Sequence, residues 1–128
     1  MRIFVDEDTG SSLAKALKAV GVQVEYPTKS LHSIIKLGAK DEDWLPIIGR
    51  EGRLVLSRNT GILENEAERE LVISEHVGIV FLPQHLRKLR TLQLVMRKLD
   101  WLEIIDTEPR PFAHRVSATG RTTRLGLS

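Results

Sequence analysis

The stretch Ile3-Phe4-Val5-Asp6-Glu7-Asp8 decides the fold, because a short apolar run ends there in three acids, just before a helical pattern. The run from Arg2 to Val5 predicts a buried strand, and ligands bind at the carboxyl ends of strands in open α/β sheets. A carboxylate that abuts a buried strand loses solvation unless a cation or hydrogen-bond donors compensate it. We therefore expect Asp6 to be functional.

Helix capping is the alternative explanation for the rest of this acidic cluster. A helical pattern follows at 11–20, and Asp8, Thr9 or Ser11 is able to cap it. A short side-chain oxygen there accepts hydrogen bonds from the free amides of the first turn. For Asp8 we favour this interpretation.

The composition predicts one cytoplasmic domain over residues 1–128, whose last segment, 109–128, is a hairpin or a tail. The chain is 41% hydrophobic and has no cysteine, which excludes disulfides and thiolate metal sites. Asp6 comes too early for a signal peptide. No apolar stretch approaches the roughly 20 residues that span a membrane.

Strand and helix patterns alternate along the chain, which predicts an α/β fold with a mostly parallel sheet of about four strands. The predicted strands are 2–5, 22–26, 53–57 and 77–82. The predicted helices are 11–20, a segment opened by Asp41-Glu42-Asp43, 64–75, and one long helix over 84–105. Residues 27–40 form an irregular connection, and 112–117 pairs with 122–127 through a turn at Thr119-Gly120.

The start of the second helix is ambiguous because Pro46 is tolerated in a first turn and not deep inside a helix. The cap is therefore Asp41 or Asp43. Trp44 in the same helix is interpreted as a packing group.

Polar side chains follow two of the predicted parallel strands. Asp6 leaves the first strand, and Ser57 and Asn59 leave the third, so these side chains share one rim of the sheet. If Asp41 reaches that rim, carboxylate and amide oxygens form a site for Mg²⁺ or Mn²⁺. The alternative for the 41–43 acids is a favourable interaction with the helix macrodipole.

Basic residues cluster in the last third of the chain without interleaved acids. Residues 84–99 carry five of them, which suits a polyanion such as a nucleic-acid backbone. An ordinary solvated helix face is the competing interpretation. The five are Arg87, Lys88, Arg90, Arg97 and Lys98.

The order of these motifs resembles the PIN-like domains, metal-dependent ribonucleases that include the VapC toxins of bacterial toxin–antitoxin pairs. The chain looks most like a compact variant, and the resemblance implies a PIN-like three-layer sandwich. The matching segments are Phe4-Val5-Asp6-Glu7-Asp8, Lys40-Asp41-Glu42-Asp43-Trp44-Leu45, Arg53-Leu54-Val55-Leu56-Ser57-Arg58-Asn59, Ala67-Glu68-Arg69-Glu70 and Pro111-Phe112-Ala113-His114-Arg115-Val116.

The resemblance implies an endoribonuclease that uses Mg²⁺ or Mn²⁺ at an acidic pocket. Asp6 is the expected first metal ligand, Asp41 the second and Asp43 a reserve, with Asn59 a weak or water-mediated ligand at the catalytic site. Arg58 is expected near the phosphate. Arg87, Lys88 and Arg90 are the other candidate RNA contacts.

Asn59 departs from the family pattern, which normally has an aspartate there. The change removes a negative charge, so a second metal ion should bind less well. The alternative function is therefore a catalytically degenerate PIN-like module that binds RNA or a protein partner. If the toxin resemblance holds, a neighbouring gene should encode an antitoxin that masks the rim, and a homodimer would fit the resemblance.

Overall fold

The computed structural model describes residues 1–29 and 33–127, which form one six-stranded sheet of order β2-β1-β3-β4-β5-β6. The first five strands in this order are parallel, and β6 is antiparallel to β5. The strands are β1 (Arg2–Val5), β2 (Gln23–Glu25), β3 (Leu54–Ser57), β4 (Gly78–Phe81), β5 (Phe112–Val116) and β6 (Thr122–Leu125).

Helices cover both faces of the sheet, as the alternating strand residues require. Ile3 and Val5 pack into one core layer with α1, α5 and α6, whereas Phe4 between them packs into the other with α2, α3 and α4. The helices are α1 (Ser11–Ala19), α2 (Asp41–Glu51), α3 (Gly61–Glu64), α4 (Glu66–Ser74), α5 (Lys88–Arg97) and α6 (Leu99–Asp106). The predicted α/β class and three-layer sandwich are confirmed.

The order in which the chain adds strands to the sheet reverses between β1 and β3, although these strands are parallel. From β1 the chain crosses to β2 on one side and then to β3 on the other, with Val5 opposite Leu56. Asp6, just past β1, and Ser57, the last residue of β3, therefore face each other. Such a reversal opens a crevice at the carboxyl ends of the strands, where α/β proteins bind ligands.

One predicted helix is broken in two, which corrects a single-helix prediction, and another is preceded by a short helix that was not predicted. The helix predicted at 84–105 ends at Lys98, whose amide donates to the carbonyls of Leu94 (3.1 Å) and Val95 (3.0 Å). The apolar stripe continues into α6, so the periodicity does not reveal the break. The helix predicted at 64–75 is confirmed as α4, which begins at Glu66 after the short helix α3; the side chain of Asn65 accepts from Glu68 N (3.0 Å) and caps α4.

The C-terminal segment is the predicted hairpin rather than a loose tail. β5 and β6 pair in antiparallel register, and β5 also pairs with β4, so the sheet has six strands where about four were expected. The irregular connection at 27–40 includes residues 30–32, which lie outside the described residues. Among the helices described, none has the length and apolar character needed to cross a bilayer.

The helix caps differ from the predictions in two places. Gly10 occupies the N-cap of α1 without a side-chain bond, so neither Asp8 nor Thr9 nor Ser11 caps that helix. Lys40 is the N-cap of α2 and Asp41 is its first residue, while Asp43 accepts a 3.2 Å bond from Lys40 N, which is one half of a capping box. The helix continues through Pro46.

Candidate active site

Asp6 lies at the base of the crevice and is 3% exposed. One carboxylate oxygen accepts from the amide (3.1 Å) and the hydroxyl of Thr9, and the other accepts from the Ser57 hydroxyl at 2.6 Å. Burial raises the pKa of Asp6 above its ordinary value, and the hydrogen bonds from Ser57 and Thr9 oppose that rise. Asp6 also caps a single 3₁₀ turn, Glu7–Thr9.

Asp41 is held at the start of α2 by one donor on each carboxylate oxygen. The indole nitrogen of Trp44 donates to Oδ1 at 3.0 Å, and the Asn59 amide nitrogen donates to Oδ2 at 3.0 Å. The Trp44 ring stacks at a tilt on Phe4 of β1, with ring centroids 4.8 Å apart. This contact fixes the helix that carries Asp41 against the central strand.

Ser57 and Asn59 connect the two carboxylates. The Ser57 hydroxyl donates to Asp6 and accepts from the backbone N–H of Asn59 at 2.9 Å. The Asn59 side chain then donates to Asp41, while its oxygen accepts from Gly61 N at 3.1 Å. A carboxylate only accepts and a backbone N–H only donates, so these partners fix the orientation of the Asn59 amide. In this arrangement Asn59 positions Asp41.

A cavity of about 530 Å³ opens between these carboxylates and α4. Glu68 of α4 faces Asp41 across it. Burial of Glu68, its hydrogen bond with Asp41 and repulsion by Asp41 and Glu42 raise its pKa from 4.5 to about 7. We call this cavity the acidic pocket; its wall consists of Asp6, Glu7, Asp8, Gly38, Ala39, Lys40, Asp41, Glu42, Trp44, Asn65, Ala67 and Glu68.

The oxygen donors of the acidic pocket fit a hard divalent cation. A carboxylate offers about four acceptor positions. Three are used at Asp6, and three are used at Asp41 by the bonds with Trp44, Asn59 and Glu68, so each carboxylate retains one position for a cation or its water. Over 1–29 and 33–127, no three His, Cys, Asp or Glu side chains converge closely enough to hold an ion together. Mg²⁺ commonly binds through one or two carboxylates and several waters, which two ligands satisfy.

The structure brings only some of the predicted site residues together. Asp6 and Asp41 line the acidic pocket, and Asn59 lies behind Asp41 as its donor. Asp43 does not line the pocket; its carboxylate is turned to the backbone of Lys40.

The predicted RNA contacts are divided between two other cavities. Arg58 and Lys88 line one cavity, whereas Arg90 lines a more apolar one beside Met96. Arg87 is the exposed N-cap of α5. Two basic residues of the C-terminal segment are already paired, Arg110 with Asp106 at 2.6 Å and Arg124 with Glu108.

Glu68 and Trp44 are the site residues that sequence reasoning missed. The only signal for Glu68 was its place in the segment 67–70, which gave no reason to prefer it to Glu70. Trp44 was expected only to pack, and a hydrogen bond from its indole to Asp41 three residues earlier requires the helix to begin at Asp41. That starting point was ambiguous in the sequence because of Pro46.

A family model described as a PIN like domain matches residues 1–84. The matched region holds β1 to β4, α1 to α4 and every residue that lines the acidic pocket. No curated protein and no solved structure matches the chain. The helices α5 and α6 and the hairpin lie beyond the matched residues.

Proposed function

Since the chain belongs to the PIN-like domain family, we propose that it is a ribonuclease that requires Mg²⁺ or Mn²⁺ and hydrolyses RNA phosphodiesters at the acidic pocket. One observation carries the proposal. Asp6 and Asp41 come from separate elements and are linked by hydrogen bonds through Ser57 and Asn59. Both line the acidic pocket, at the point where the strand order reverses.

Asp6 and Asp41 would hold the ion in this proposal, together with water. When bound, a divalent ion supplies an activated water and neutralises negative charge on the phosphate under attack. Trp44 and Asn59 keep Asp41 in one orientation, and Thr9 and Ser57 do the same for Asp6. Preorganisation of this kind reduces the cost of reaching the reactive geometry.

Glu68 adds a proton-transfer group to the same pocket. In the metal-free chain its pKa is about 7, so its carboxyl group is partly protonated and partly ionised at neutral pH. Hydrolysis of a phosphodiester breaks a P–O bond and leaves an oxygen that needs a proton. A group with a pKa near the working pH suits that transfer.

The proposal is tested by cleavage of labelled single-stranded RNA in Mn²⁺, in Mg²⁺ and in EDTA. We expect cleavage only with metal, and its loss in Asp41→Asn. Asp43→Asn is the matched control, because Asp43 is an acid of the same helical turn that lies outside the pocket. Equal loss in both variants, or no cleavage of several RNAs by the native protein, would overturn the proposal.

A degenerate binding module is the second candidate, and Asn59 is the observation that favours it. In place of the charged ligand that the family normally has, this residue contributes an amide whose nitrogen and oxygen are both hydrogen-bonded. Metal-independent RNA binding without cleavage would support this candidate. The same outcome would contradict the nuclease.

More specifically, we propose that the chain is the toxin of a toxin–antitoxin pair and binds a cognate antitoxin. The six acids that line the pocket suit insertion of a basic side chain from a protein partner. We expect the product of a neighbouring gene to form a complex with this chain and to suppress its RNA cleavage. Glu68→Gln should weaken that complex, whereas the exposed Glu70→Gln on the same helix should not.

A further inference from the structure

A second cavity, of about 400 Å³, adjoins the acidic pocket, and Asp8 lines both. Its walls come from the beginning of α1, from Arg58 after β3 and from the beginning of α5. We call it the cationic cavity; it is lined by residues 8–13, Tyr26, Arg58, Lys88, Thr91 and Leu92. Lys88, Thr91 and Leu92 lie beyond the residues that match the family model.

Arg58 is a fixed cation in the wall of this cavity. Its Nη2 group donates to the carbonyl of Leu86 at 3.1 Å and to the hydroxyl of Thr91 at 2.7 Å. Its Nε atom is buried and has no hydrogen-bond partner in the described part of the chain. A guanidinium has five N–H donors; the Nε atom has no accessible surface, so among the residues described the Nη1 group is the one that remains free to donate to an anion.

The two helices whose N-terminal ends line the cavity, α1 and α5, have no acid in their first turns, although acids are usually favoured there. Acids in a first turn stabilise a helix through its dipole, and α2, α4 and α6 each have at least one. The first turns of α1 and α5 have none, and neither N-cap side chain bonds the helix. In α5 the basic residues Arg87, Lys88 and Arg90 stand there instead. Both helix ends therefore add positive potential.

The cationic cavity is connected to Asp6 by hydrogen bonds. The backbone amide of Arg58 donates to the Thr9 hydroxyl at 3.0 Å, and that hydroxyl donates to Asp6. Thr9 thus belongs to the wall of the cavity and also orients the proposed metal ligand. A group bound beside Arg58 is held in a fixed relationship to the acidic pocket.

We propose that the cationic cavity binds a backbone phosphate of the RNA strand whose neighbouring phosphodiester occupies the acidic pocket. The inference rests on the proposed function, because it takes RNA as the substrate. A fixed guanidinium, an exposed ammonium group and the Ser11 and Ser12 hydroxyls match the oxygens of a phosphate. With only one aromatic residue, Tyr26, in the wall, the cavity recognises backbone charge and not stacked bases.

The test is the salt dependence of RNA binding, measured without divalent metal so that cleavage does not interfere. Fluorescence anisotropy gives the Kd for a labelled single strand of roughly 12 nucleotides between about 50 and 200 mM salt. Each phosphate contact contributes about 0.7 to the slope of log K against log salt for single strands. We expect Lys88→Gln to reduce the slope by about 0.7 and Lys88→Arg to retain it.

Lys18→Gln is the matched control, since Lys18 is exposed in the last turn of α1, at the opposite end from the cavity. Equal slopes for Lys88→Gln and Lys18→Gln, or no RNA binding by the native chain, would overturn the phosphate site. The Mn²⁺ cleavage assay decides the proposed function separately. If the native chain cleaves RNA and Lys88→Gln has the native salt slope, only the phosphate site is contradicted. If Lys88→Gln has a reduced slope and the native chain does not cleave RNA, only the nuclease is contradicted.

Discussion

The Ser57 hydroxyl donates a 2.6 Å hydrogen bond to the carboxylate of Asp6, between the parallel strands β1 and β3 at which the strand order reverses. Both side chains are buried, at 0% and 3% exposure. The bond follows from the register, because Val5 and Leu56 are opposite each other and the next residue of each strand is polar. It offsets part of the cost of burying a carboxylate in the centre of the fold.

Ser57→Ala tests that relationship. The substitution leaves the buried oxygen of Asp6 and the amide of Asn59 without their shared partner. We expect the free energy of unfolding at neutral pH to fall by about 1–3 kcal/mol, as measured by urea denaturation. A change below about 0.5 kcal/mol would show that water replaces the hydroxyl at no cost.

Asn59→Asp tests the role of the amide in positioning Asp41. The substitution removes the donor to Asp41 and places a second negative charge beside it, so without metal we expect a loss of about 1–3 kcal/mol of stability. A divalent ion should compensate this repulsion. The increase in Tm on adding Mn²⁺ should therefore be larger for Asn59→Asp than for the native chain. An equal increase would contradict a metal site next to this residue.

Glu68→Gln tests the raised pKa in the acidic pocket. Because the pKa of Glu68 rises from 4.5 to about 7 on folding, the folded chain binds this proton more tightly than the unfolded chain. The corresponding stability is fully present below pH 4.5 and is lost as the pH rises through about 7. The side chain is partly exposed and solvent screens the repulsion, so we expect a loss on the order of 1 kcal/mol.

Urea denaturation at a series of pH values checks this prediction. The stability of the native chain relative to Glu68→Gln should decrease across that interval, and saturating Mn²⁺ should reduce the decrease. Glu70→Gln, at an exposed acid of the same helix, should show no such difference. A pH profile for Glu68→Gln that parallels the native one would contradict the assignment.

Local sequence patterns were sufficient to predict the sheet and one of its rims. β1 and β3 are short apolar runs followed by polar residues, and such runs at the centre of a parallel sheet allow few alternatives. Asp6, Ser57 and Asn59 could therefore be assigned to one rim. The helix break at Lys98 could not be predicted, because the apolar periodicity continues across it.

The second half of the site depends on tertiary contacts that have no sequence signature. Asp41 reaches the pocket because Trp44 packs on Phe4 and because Asn59 donates to it. Glu68 is positioned by α4, which begins where the side chain of Asn65 caps it. A reader of the sequence sees acids at 41, 43, 68 and 70 and has no local reason to select two of them.

The most direct measurement is single-turnover cleavage of labelled single-stranded RNA in Mn²⁺ by the native chain and by Asp6→Asn. Asparagine keeps the shape of the side chain, its oxygen still accepts from Thr9 N, and its NH₂ group is able to donate to the Ser57 oxygen, so the variant should fold. It removes the charge that would hold the ion. We predict metal-dependent cleavage by the native chain and a decrease of at least about 100-fold in Asp6→Asn. Cleavage by Asp6→Asn at the native rate, with the same metal dependence, would contradict the assignment of this site.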